Sequence, residues 1–145
     1  QDGRARSAVG GAYRHLSYQD IRPLLPAIHR AIVEPAPSGI MFASDVRLSG
    51  VEVLAKHRIR EGMALALQVM EIDKWGKRAR LTRCFKALEL YGGSAKEILP
   101  ELRQLEKDLE VHPEARGLKD LIDQLKALIA KVESGAAPIE LRDLK

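Results

Sequence analysis

Aromatic side chains make up only 4% of the sequence. Beside an abundance of Ala, Leu, Arg, Lys and Glu, that scarcity favours helix over sheet. The single cysteine, Cys84, excludes an internal disulfide and any multi-cysteine metal site. The four histidines (His15, His29, His57, His112) are widely separated, and no two share metal-ligand spacing on one helix, so no metal site is assigned. No run of eighteen apolar residues exists, which excludes a transmembrane helix. Nor does a charged segment followed by an apolar stretch open the chain, as a signal peptide would. Gln1 is not an initiator residue, so the chain is expected to be a fragment of a longer protein. Export of that parent stays open and no compartment is assigned. Glycine-rich phosphate loops, dinucleotide fingerprints and paired acids in a polar cleft are likewise missing, so no cofactor and no catalytic residue is assigned. Ser38 lacks the glycine two before it and the preceding strand that a nucleophile elbow requires, and reads as a turn and helix cap.

What is present is an apolar ladder that occurs three times. Ile21, Leu25, Ile28 and Ile32 step by four, three and four residues, as do Ile59, Met63, Ala66 and Met70, and again Ile98, Leu102, Leu105 and Leu109. The ladders start 38 and then 39 residues apart, a period typical of two-helix repeats. A unit of that size cannot bury its apolar face alone and stacks on its neighbours. With 145 residues, 46% of them hydrophobic, the chain is long enough for one domain with a real core. The expected fold is therefore all-α: an α-solenoid of about three antiparallel hairpins over residues 17–57, 58–93 and 94–133, with a tail at 134–145. A compact six-helix bundle is the alternative, since any amphipathic helix shows a 4-3-4 ladder.

Punctuation along the chain supports the hairpins. Ser17 to Asp20 resembles a capping box opening helix 1A, which runs to about Val33. Pro35, Pro37 and Gly39 end that helix, and helix 1B covers about Met41 to Lys56, with Leu48, Val51 and Leu54 or Ala55 inward. In mid-helix, Gly50 costs about 1 kcal/mol against Ala, which implies close helix packing there. Helix 2A spans about Arg58 to Ile72, and helix 2B about Arg78 to Leu90, burying Leu81, Cys84, Phe85 and Leu88. Ser94 to Glu97 reads as a full capping box for helix 3A, with Ser17, Asp20, Ile21 and Pro23 matched 77 positions on by Ser94, Glu97, Ile98 and Pro100. Both prolines are expected to kink their helices. Helix 3B, about Arg116 to Glu133, carries the stripe Leu118, Leu121, Ile122, Leu125, Leu128, Ile129 and Val132. The tail either begins another short helix or hangs loose.

The first helix with its internal Leu-Pro, followed by a second helix containing Arg-Leu, resembles HEAT repeats. Gly11-Ala12-Tyr13, Pro37 to Phe42, Arg47-Leu48-Ser49-Gly50, Leu54-Ala55-Lys56, Trp75-Gly76 and Tyr91-Gly92 further resemble an uncharacterised bacterial family of large HEAT-like proteins, some with a PDZ-like domain upstream. The similarity covers roughly residues 9–110. It implies a helical repeat region of a longer, often exported protein and brings no catalytic residues with it.

Charge is uneven. Residues 1–92 hold 15 Lys or Arg against 9 Asp or Glu, while residues 93–145 hold 9 against 11. An acidic partner is thus drawn toward the first part of the chain. The basic segment Lys74, Trp75, Lys77, Arg78, Arg80 and Arg83 is the foremost candidate for gripping a partner, with Trp75 either stacking on a ligand or plugging the gap between repeats. Arg47, Arg58 and Arg60 are further candidates. Arg58 or Arg60 either clamps a carboxylate or bridges repeats through Asp45 or Glu52, with His57 capping the end of helix 1B. Arg47, Lys56, Arg80, Arg83 and Lys86 would make the face built by the second helices positive.

Three functions follow. The first is a non-catalytic scaffold that binds a protein or peptide, favouring an acidic one. The second is nucleic-acid binding in a basic groove, as in HEAT-like DNA glycosylases, and the third an accessory domain of a larger enzyme. No membrane insertion is expected, and association through exposed solenoid ends is open.

Overall fold

The computed structural model describes residues 17–33, 40–73, 76–135 and 140–144, with only the backbone course given for 40–46. Lys74, Trp75, Ser38 and the side chains of Met41, Phe42 and Asp45 lie outside the described residues. The chain is all-α, as its composition requires. Helix α1 is broken, running Tyr18–Ile21, then a 3-10 turn Arg22–Leu24, then Leu25–Val33. It is followed by α2 (Ile40–Lys56), α3 (Glu61–Val69), α4 (Lys77–Glu89), α5 (Leu99–Glu110) and α6 (Lys119–Glu133). Two more 3-10 segments, Gly92–Ile98 and Ala115–Leu118, lead into α5 and α6.

The helices pack in succession. Helix α1 lies on α2, α3 touches both α2 and α4, and α5 lies on α6, while α2, α4 and α6 form a row in which α4 contacts each of the others. Among the described residues, α1 and α2 make no comparable contact with α5 or α6. The three ladders supply the inner faces. Of their twelve residues all are buried except Leu105, which is partly buried. The whole stripe on α6 from Leu118 to Val132 is buried too. Gly50 confirms the close approach its position demanded, because a Cβ there would stand 2.5 Å from Cγ1 of Ile32. Gly62 is tighter still: a Cβ would fall on the hydroxyl of Tyr91 and 2.9 Å from Cβ of Leu54.

The caps divide. At Ser17 the capping box forms, the Ser17 hydroxyl accepting from Asp20 N–H at 3.2 Å. At Ser94 the α-helix does not begin: Gly92, at φ 54°, starts a 3-10 run through Ile98 in which Ser94 is buried, α5 starts only at Leu99, and Glu97 pairs with Arg60. Nor is either proline a kink inside a regular helix. Pro23 sits within the 3-10 turn, and Pro100 occupies the first turn of α5, where an N–H has no intrahelical acceptor to lose.

Helix 2A is shortened for a different reason. The end of α2 closes in a Schellman motif, with Ile59 N–H donating to Leu54 O at 2.9 Å and Arg58 N–H to Ala55 O at 3.0 Å. The left-handed position that such a motif requires, usually glycine, is filled by Arg58 at φ 54°. Helix α3 therefore begins only at Glu61, and the hydroxyl of buried Tyr91 donates to Ile59 O at 2.8 Å to hold the junction.

Of the tail beyond Gly135, the structure describes residues 140–144, which form no helix; Arg142 makes an isolated parallel bridge with Ile59.

Candidate functional site

The first turn of α4 borders an open groove of about 850 Å³. Gly76, left-handed at φ 82°, turns the chain into the helix, and its carbonyl accepts the first helical bond from Arg80 N–H at 3.1 Å. The groove is lined by Lys77, Arg78, Ala79, Thr82 and Arg83 from α4, and by Glu114, Gly117 and Leu118 from the connection between α5 and α6. Leu118 is buried and gives the groove an apolar floor.

Each lining cation meets a carboxylate. Lys77 Nζ lies 2.9 Å from Glu114 Oε2, and this donated hydrogen bond holds the Glu114 carboxyl below the ordinary range. Arg78 donates to the Asp120 carboxylate and to the Gly117 carbonyl, and its hydrogen bond likewise lowers Asp120. Arg83 grips Glu52 with two nitrogens, at 2.5 and 3.3 Å. Arg78 and Asp120 are half-exposed, whereas the side chains of Arg83 and Glu52 are only 28% and 27% exposed.

The described candidate cations therefore fall into three groups, with Arg83 shared between the first two. Lys77 and Arg78 stand at the groove. Arg47, Arg80 and Arg83 tie helices together: Arg47 donates to Ile32 O at 3.1 Å and pairs with Glu71 at 3.3 Å, while buried Arg80 donates to the Glu71 carbonyl. Burial lowers the Arg80 guanidinium from its ordinary value. Arg58 and Arg60 belong to the α2–α3 junction, away from the groove lining. From this junction Arg60 does bridge to a carboxylate, that of Glu97 at 2.5 Å, while Arg83 pairs with Glu52 and the side chain of Asp45 lies outside the described residues.

Sequence reasoning passed over His112. Its Nδ1 accepts from Glu114 N–H at 3.0 Å, and its Nε2 lies 3.4 Å from Asp73 Oδ1, so one ring links the turn before α4 to the turn before α6. Asp73 and His112 stand 39 positions apart, one repeat period, which was the available signal. With Nδ1 engaged as an acceptor, this pair positions Glu114 beside Lys77.

Cys84 is buried and its thiol is pushed up to about 12, chiefly by loss of hydration, so it behaves as a core residue. Among the described residues no group of three or more His, Cys, Asp or Glu is arranged to hold a metal ion. Also among them, no helix is long and apolar enough to cross a membrane. Chemically, the groove offers exchangeable cations around an apolar floor. Comparison with models of known protein families, with curated proteins and with solved structures finds no match.

Proposed function

We propose that this chain is a non-catalytic interaction scaffold of HEAT-like kind, which receives an acidic protein or peptide segment in the groove beside α4. The observation that supports this most directly is the lining itself: Lys77, Arg78 and Arg83 against Glu114, around the buried side chain of Leu118. Half-exposed ion pairs such as Arg78–Asp120 contribute little, because water screens both charges. A partner's carboxylates can therefore replace Glu114 and Asp120 at small cost while an apolar side chain settles on Leu118.

A displayed peptide library selected on the intact chain, and in parallel on the Lys77→Glu, Arg78→Glu double variant, tests the reading. Acidic sequences carrying an apolar residue should be enriched on the first and lost on the second. Failure to enrich, or enrichment indifferent to the charge reversal, would sink the proposal. A random DNA duplex titrated in the same buffers separates the nucleic-acid reading, for which affinity must fall about 10³-fold or more between low and moderate salt.

A further inference from the structure

The α2–α3 junction is built from residues the groove does not use. Main-chain pairing flanks Ile59 on both sides: Arg142 N–H donates to Arg58 O at 2.9 Å, and Arg60 N–H donates to Arg142 O at 2.8 Å. The Arg142 side chain is read as well. Its Nη1 donates to His57 O at 3.1 Å, and its guanidinium carbon lies 4.1 Å from the centre of the Tyr18 ring. Two residues on, Leu144 N–H donates to the Glu61 carboxylate at 3.1 Å, and both Leu141 and Leu144 pack against the core. Backbone pairing supplies affinity without sequence preference, and the arginine and leucine positions supply selectivity. The left-handed Arg58 makes this possible, since it breaks the helix there and turns Arg58 O and Arg60 N–H out of helical bonding.

We propose that this junction is a binding site for an extended peptide of the form Leu-Arg-x-Leu carried by another protein, and that residues 140–144 are a tethered competitor occupying it in cis. The chain's own segment defines the ligand chemistry: an extended backbone, an arginine stacked on Tyr18, and leucines on either side. A tether that holds a competitor near millimolar effective concentration masks the site until the segment is displaced or weakened.

The test uses a fluorescent peptide with the sequence of residues 139–145, titrated by anisotropy into the intact chain and into full-length Arg142→Ala, whose own segment is weakened. The variant should bind the peptide at least tenfold tighter than the intact chain, and a peptide carrying alanine in place of arginine should bind neither. Equal affinity for both chains, no binding to the variant, or indifference to the peptide's arginine would each overturn the proposal. Should Arg142→Ala fail to fold by circular dichroism, Leu144→Ser, which leaves the arginine stack in place, carries the same comparison. Sedimentation of the intact chain without peptide distinguishes the remaining source: concentration-dependent dimers that the Arg142→Ala change abolishes would mean that a second copy's segment, and not another protein, fills the site.

Discussion

Replacing Arg58 with glycine should make the protein more stable, although it deletes a charged side chain. Arg58 completes the Schellman motif at φ 54°, a conformation in which its Cβ crowds the following carbonyl. That crowding costs a residue bearing a Cβ about 1–2 kcal/mol. Glycine escapes it but surrenders about 0.5–1 kcal/mol through its freer unfolded chain. The net expectation for Arg58→Gly is a gain of about 0.5–1 kcal/mol, or about 2–4 °C in Tm for a domain of this size. Reversible urea unfolding followed by far-UV circular dichroism resolves such a change. Arg58→Ala is the control, because it removes the exposed guanidinium yet keeps the Cβ, and it should lie within about 0.5 kcal/mol of the parent. If Arg58→Gly is no more stable than the parent, or if alanine gains as much as glycine, the conformational account of this helix end is wrong.

Gly62→Ala should destabilise by about 1–3 kcal/mol through overpacking, and Tyr91→Phe by about 1–2 kcal/mol through the lost bond to Ile59 O. The double variant should cost less than their sum, since removing the hydroxyl makes room for the new methyl; strict additivity in a double-mutant cycle would count against the packing described. For Cys84 the folded pKa, about 12, lies above the ordinary value of 9.0, so its stabilising contribution is complete below that pH and is lost as the unfolded chain ionises above it. Between pH about 8 and 10 the parent should lose about 1 kcal/mol more than Cys84→Ala in urea titrations, with Tyr91, also raised by burial, acting in the same direction higher still. Thermal melts should find Arg78→Ala within about 0.5 kcal/mol of the parent, whereas Arg83→Ala, which removes two charge-assisted bonds to the less exposed Glu52, should cost about 1.5–3 kcal/mol.

The ladders were legible because burial on one helix face imposes its period directly on residue type, as Ile21 to Ile32 and Leu118 to Val132 show. Gly50 was legible for a similar reason: a mid-helix glycine is costly unless a neighbour needs the space. The Ser94 cap was misread because local spacing cannot reveal that Gly92 redirects the chain into a 3-10 run and that Glu97 has a partner on another helix. The bend at Arg58 left no mark, since arginine is not a turn-forming residue and the partners that brace the junction, Tyr91 and Arg142, lie far along the chain. The basic stretch around Arg80 looked continuous in sequence, but a charge count does not say which cations turn inward to meet Glu71 and Glu52. The segment Leu141 to Leu144 is too short for any periodic signal, and its alternation has meaning only against the backbone it joins.

The Arg142 stack on Tyr18 and the Leu144 bond to Glu61 fasten the final described stretch to α1 and α3, as a belt is buckled through two holes. Anything grafted directly behind Leu144, such as an affinity tag, a fluorescent fusion or a surface linker, will tug on that buckle and be felt at Tyr18 and Glu61. Labels intended as silent handles belong elsewhere, and a handle placed there becomes a gauge of whether the belt is fastened.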